Sequence, residues 1–201
     1  SVTGVQTCAL PISETDKKLG IPNESLPGSH TATEFVAWYN GHPDFQHIEF
    51  DLSSEVVAVI GQGNVAVDVT RILAKTSKEL ASSDITHNAL SSLAKSKIKE
   101  IHLIGRRGPA QSAFTELEIK ELGELEDCNV IIDPKDLQLN QESEKELELS
   151  TKAKKNVDIL RHLAEKPQNP DASKSIHIRF FKNPVAFEGS ESVSGLWLED
   201  T

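Results

Sequence analysis

The stretch Glu55–Lys75, EVVAVIGQGNVAVDVTRILAK, constrains this chain more than any other. Glu55–Ile60 is a short, β-branched, almost wholly apolar run, the pattern of a strand buried in a parallel sheet. Gly61 and Gly63 end it. Beyond them Val65, Val69, Ile72 and Leu73 recur at helical spacing, which predicts a helix from about Asn64 to Lys75. Between strand and helix, GQGNVA (Gly61–Ala66) fits G-x-G-x-x-G/A. The residue types follow from the chemistry. Gly61 makes the tight exit from the strand, Gly63 lets a pyrophosphate approach the backbone, and Ala66 lets the helix pack close to the strand. The helix N-terminus then offers N–H groups and partial positive charge to phosphates. Gln62, Asn64 and Val65 would add backbone or side-chain contacts. The alternative, a glycine-rich turn without a ligand, is the weaker reading because both flanking elements are present.

The rest of the chain supports an α/β domain with a parallel sheet. Lys99–Gly105 and Cys128–Asp133 read as further strands, Ile176–Phe181 alternates like a half-buried strand, and Val193–Asp200 reads as another. Helices are predicted from the capping-box pattern Thr31–Glu34, near Asp84–Ser96 with Ser83 or Asp84 as N-cap, from the pattern Thr115–Glu118 to about Leu122, and in the second half of Asn140–Lys166. Strand, helix, strand, helix, strand in this order argues for right-handed crossovers on a parallel sheet.

GRRGP (Gly105–Pro109) distinguishes between dinucleotides. An NAD site carries an acid at the end of its second strand, for the ribose 2′-OH. Here that strand end carries Arg106 and Arg107. A 2′-phosphate is attracted to a guanidinium and repelled by a carboxylate, and each charge-assisted bond contributes about 1.5–3 kcal/mol. The pair favours NADP, against the alternative of two solvated surface arginines. The acid normally follows the glycines by about 20 residues; the extra helix near Asp84–Ser96 accounts for the later position here. Glu118 has two readings, a capping partner for Thr115 or a contact to the nucleotide, and the residues alone favour the cap.

Composition excludes other classes. Lys plus Arg is 21 and Asp plus Glu is 31, a net charge of −10, so a general nucleic-acid binder is not expected. No apolar run approaches a membrane span. The two cysteines give neither a disulfide framework nor a metal spacing. The seven histidines, at 30, 42, 47, 87, 102, 162 and 177, form no H-E-x-x-H pair, and His102 and His177 read as ordinary lining residues of strands. No nucleophile–base pattern stands out, so no catalytic residue is assigned. Trp38, Tyr39 and Trp197 read as packing residues.

At FVAWYNGHPDF, GQGNVAVDVTRIL and GRRGPAQSAFTELEIKEL the sequence closely resembles the adrenodoxin-reductase type of ferredoxin–NADP reductase. The resemblance runs in order through nearly all of Thr15–Thr201, and DITHNALSSLAKSKIKEIHLIGRRGP keeps the family's spacing. It implies a Rossmann-like, three-layer NADP-binding domain with a parallel sheet, inserted in an FAD-binding domain. It also implies electron flow from NADPH through FAD to a ferredoxin or adrenodoxin-like iron–sulfur protein. Gln62, Asn64 and Val65 resemble the family's pyrophosphate contacts, Arg106 and Arg107 its 2′-phosphate clamp, and Glu118 a glutamate that contacts NADP.

The family's FAD-binding glycine motifs are not seen in this sequence, so a fragment is expected, inactive alone, with the FAD site mostly outside it. Residues 13–50 would be a lead-in segment and residues 51–201 the NADP-binding domain. Residues 1–12 stand apart: Val2–Ile12, VTGVQTCALPI, resembles the translation of a sequencing-library adapter, and is expected to make few contacts with the core. Two alternatives are a related two-dinucleotide flavin oxidoreductase like the glutamate-synthase small subunit, and a non-catalytic Rossmann binding module. A monomer is expected, cytoplasmic if bacterial and in the mitochondrial matrix if eukaryotic.

Overall fold

In the computed structural model residues 2–3, 5–9 and 18–201 are described, the first two segments by their backbone. In chain order the elements are β1 (Val2–Thr3), β2 (Val5–Ala9), β3 (Ser29–Thr31), α1 (Ala32–Tyr39), β4 (Val56–Ile60), α2 (Asn64–Ala74), α3 (Ser77–Ala81), α4 (His87–Leu93) and β5 (Glu100–Ile104). They continue with α5 (Glu116–Leu122), β6 (Cys128–Ile132), α6 (Gln141–Leu149), α7 (Thr151–Glu165), β7 (Lys174–Arg179), β8 (Lys182–Glu188) and β9 (Gly195–Asp200). Six strands form a parallel sheet in the order β3-β2-β4-β5-β7-β6. Three more form an antiparallel sheet, β1-β9-β8.

The alternation of strand side chains makes three layers. Val57, Val59, Ile101, Leu103, Ile176 and Ile178 point into the larger core, against α1, α2, α5 and α7. Ala58, Ile60 and Ile104 point the other way and pack on Phe187 and Leu196 of the antiparallel sheet. The parallel sheet is thus covered on both faces, which explains why its central strands read as unbroken apolar runs. The architecture is the Rossmann-like, three-layer α/β domain expected from the sequence.

Helix α1 docks through Phe35, Trp38 and Tyr39, all buried. The Thr31–Glu34 capping box is formed, with Thr31 N–H donating to Glu34 Oε2 at 3.0 Å and Glu34 N–H donating to Thr31 Oγ1 at 3.2 Å. The Tyr39 hydroxyl donates to Asp68, Arg71 donates to Asp68, and Arg71 Nη1 reaches Glu121 Oε2 at 2.8 Å. This chain of contacts ties α1, α2 and α5 together. Burial and the Asp68 carboxylate raise the Tyr39 pKa, so the phenol stays a donor.

Several expectations need correction. Thr86, not Ser83 or Asp84, caps α4, accepting from Ala89 N–H at 3.3 Å. The Ser83 hydroxyl instead donates back to Leu80 O at 2.7 Å, closing α3. Trp197 is 47 % exposed, because β9 turns Leu196 inward and the next residue outward. The expectation that Val2–Ile12 stays off the core is also not met. Val5–Ala9 pairs residue for residue with Val56–Ile60, and Val2–Thr3 pairs with β9. Without β2, the edge of β4 away from β5 would present a row of open N–H and C=O groups, which an uncharged, β-capable run of any origin can fill. Residues 4 and 10–12 of that stretch, and residues 13–17 after it, lie outside the described residues.

Leu103 is fully buried at the centre of the larger core. Leu103→Ala is expected to lower the unfolding free energy by about 2–5 kcal/mol, read from urea denaturation.

Candidate dinucleotide site

The site is built where β4 and β5 end. Gly61 takes a φ of 132°, a conformation that side-chain-bearing residues rarely adopt, and its N–H donates to Ile104 O at 2.8 Å. The chain can therefore leave β4 while still bonded to β5. Gly63 is the N-cap of α2, with no side-chain cap bond and no acid in the first turn. The first N–H groups of the helix accordingly face the turn without a capping side chain. Val65 packs partly against the larger core, and Ala66 is buried where α2 meets the sheet.

A second segment closes onto this turn. The Gln62 carbonyl accepts from Ala113 N–H at 2.9 Å and from Phe114 N–H at 3.1 Å. Asn64 Oδ1 accepts from Thr115 N–H at 2.8 Å. Gln62 Nε2 donates to Arg179 O at 3.2 Å, and its amide lies so close to Gly105 that a Cβ there would fall 2.0 Å from Gln62 Cδ. The side chains of Gln62 and Asn64 are thus engaged in holding the turn. What they leave toward solvent is backbone.

Arg106 and Arg107 follow Gly105 directly. Both are exposed, and among the described residues neither guanidinium makes an ion pair. Their backbones are fixed: Arg107 O accepts from Phe181 N–H at 3.3 Å, and Arg106 O accepts from Thr201 Oγ1 at 2.7 Å. The arrangement is an anchored backbone carrying two unpaired cations beside a glycine turn.

Glu118 departs from the capping expectation. Thr115 is the N-cap of α5, yet its side chain makes no cap bond. In a capping box the N-cap amide donates to the N3 carboxylate. Here the Thr115 amide is already taken by Asn64, so the box cannot close. Glu118 Oε2 is left buried without a hydrogen-bond partner among the described residues, as is Ser112 Oγ. Buried polar atoms are rarely left unpaired, and two of them border the segment that clamps the glycine turn. Sequence reading missed Ser112, and the Ala113–Thr115 clamp leaves no pattern that would reveal it. A separate cleft of about 560 Å³ is lined by Arg71, Lys75, Glu79 and Glu121, toward the far end of α2.

Fold and turn together define a Rossmann-like α/β domain with a glycine turn at the end of β4. No family model matches the chain. The mitochondrial NADPH:adrenodoxin oxidoreductase of Arabidopsis thaliana is 41% identical over 197 residues, covering 94% of this chain and 41% of that protein. NADPH-ferredoxin reductase FprA of Mycobacterium tuberculosis is 40% identical over 186 residues, covering 92% of this chain and 40% of that one. The solved structure of M. tuberculosis FprA in complex with NADPH superposes with a TM-score of 0.84 at 38% identity, over 94% of this chain and 44% of that one. The chain spans about two fifths of the length of the curated relatives it matches. Over that span it is homologous to these NADPH:adrenodoxin and NADPH-ferredoxin reductases.

The fit of Gln62 against Gly105 can be tested directly. Gly105→Ala should displace the Gln62 side chain, break its bond to Arg179 O, and lower stability by about 1–3 kcal/mol. Adding Gln62→Ala removes the clash, so the double variant should be more stable than the sum of the single losses, as read by a denaturation cycle.

Proposed function

We propose that this chain is the NADP-binding part of a flavoprotein that passes electrons from NADPH, through FAD, to a ferredoxin or adrenodoxin-like iron–sulfur protein. The observation that carries it is the juxtaposition at the ends of β4 and β5: an α2 N-terminus without a capping side chain beside two unpaired arginines. The residues present fit NADP. The Gly61–Gly63 backbone and the first N–H groups of α2, from Asn64 and Val65, suit a pyrophosphate. Arg106 and Arg107 suit a terminal 2′-phosphate. Glu118, with its buried unpaired oxygen, suits a hydroxyl or amide of the same nucleotide.

The chemistry asked of these residues is binding and orientation. They would hold NADPH so that its nicotinamide projects beyond the C-terminal ends of the strands, the usual place for a ligand in such a sheet. No acid, base or nucleophile is required of them. FAD, when bound, would supply the redox step, and its site would lie mostly outside this 201-residue chain. The names of the relatives support the acceptor, since they are reductases of adrenodoxin and ferredoxin. We take the protein to act as a monomer, in the cytoplasm if bacterial and in the mitochondrial matrix if eukaryotic. No helix among the described residues is long and apolar enough to cross a membrane.

Calorimetric titration of the 201-residue chain tests this reading. NADPH should bind roughly 10- to 100-fold more tightly than NADH, the equivalent of one charge-assisted contact. Arg106→Ala with Arg107→Ala should weaken NADPH by a similar factor and leave NADH nearly unchanged. A parallel loss for both nucleotides would mean that the pair only supports the loop, and equal wild-type affinities would overturn the NADP assignment.

A further inference from the structure

A second polar cluster lies on the same sheet, away from the glycine turn. In β5 and β7 the register pairs Glu100 with Ser175 and His102 with His177. These residues share the face opposite the helices. His102 is 1 % exposed, while Glu100 and His177 are partly open to solvent. His102 Nε2 lies 2.8 Å from Glu100 Oε1, and His177 Nε2 lies 3.6 Å from the same oxygen. One ligand atom from each of the three residues falls within 4.8 Å of the others. The two rings are 4.9 Å apart and inclined by 32°.

This is not how an ordinary core histidine is accommodated. Neither His102 nitrogen makes a hydrogen bond among the described residues. The 2.8 Å approach of Glu100 is close enough for one, so it is the direction that fails. A buried imidazole with both nitrogens unpaired is costly and uncommon.

We propose that Glu100, His102 and His177 form a divalent transition-metal site of the zinc class. Two imidazole nitrogens and one carboxylate oxygen are a common zinc donor set. Bonds of about 2.0–2.1 Å in a tetrahedron put ligand atoms roughly 3.3 Å apart; the two separations measured to Glu100 Oε1, 2.8 and 3.6 Å, bracket that value. Ser175 Oγ lies 3.2 Å from His177 Nε2, within hydrogen-bond distance of it. Water or this hydroxyl would complete the shell. Arg179 is the opposing influence. Its positive charge, on the same face of β7 as His177, must weaken the binding of a cation.

Titration of the 201-residue chain with cobalt(II), followed by its visible absorption, and with zinc(II) by calorimetry, tests the site. One equivalent should bind, with the absorption of a four-coordinate centre. Glu100→Gln and His177→Gln, at partly exposed positions, should each weaken binding at least tenfold while leaving the circular dichroism unchanged. His102→Gln should do the same, but it is buried and its folding must be checked first; the other two variants carry the test if it does not fold. No binding below about 1 mM, or binding that Glu100→Gln and His177→Gln leave unaltered, would overturn the proposal.

Discussion

The pair of hydrogen bonds accepted by the Gln62 carbonyl is the contact on which the candidate nucleotide site depends. It joins the turn after β4 to Ala113 and Phe114, two amides that would otherwise belong to a free connection. With Asn64 Oδ1 holding Thr115 N–H, it fixes the start of α2 and the start of α5 relative to each other. Asn156 Nδ2 then bonds Phe114 O at 2.9 Å, so α7 backs the same segment. Three helices therefore register on one glycine turn, through the Gln62 carbonyl and the Asn64 and Asn156 side chains. A site that offers a phosphate only main-chain N–H groups has to be made rigid this way, because no side chain can adjust for it.

The same clamp explains why Glu118 misleads at the level of sequence. TELE has the composition of a capping box, and Thr31 with Glu34 shows the pattern working elsewhere in this chain. The difference lies in a residue distant in sequence. Asn64 takes the amide that Glu118 would have bonded, and leaves the carboxylate buried without a local duty. Local pattern specifies a cap only when no long-range partner competes for the same donor.

Much of the fold was legible for a comparable reason. β4, β5 and β7 are bounded by turn residues and carry apolar side chains whose two faces meet two different layers, so their pattern alone marks them. β8, KNPVAFE, was not legible. Pro184 removes a donor, the strand carries charge at both ends, and its pairing is to β9 alone. α6, QESEKELEL, buries only Ser143 and stands on its Asn140 cap and its own propensity, so periodicity had nothing to report. The glycine turn and the arginine pair were legible because backbone chemistry demands particular residue types there. Ser112 and the histidine pair were not. Their meaning arises from pairing across strands that are over seventy residues apart in the chain (His102 and His177), and no local spacing encodes that.

Strand β5 shows how closely these demands are compressed. Ile101 and Leu103 fill the helical core, His102 and Ile104 face the opposite layer, and Gly105 receives the Gln62 side chain. A slip of one residue against β4 or β7 would bring His102 into the apolar core and turn Leu103 toward His177. It would also carry Gly105 away from Gln62. The register that gathers Glu100, His102 and His177 is therefore the register that presents Arg106 and Arg107 beside the glycine turn. A ligand bridging β5 to β7 at the histidines would favour that same pairing, about three residues or roughly 10 Å along the strand from the level of the glycine turn. The two sites are chemically independent, yet both rest on one strand alignment.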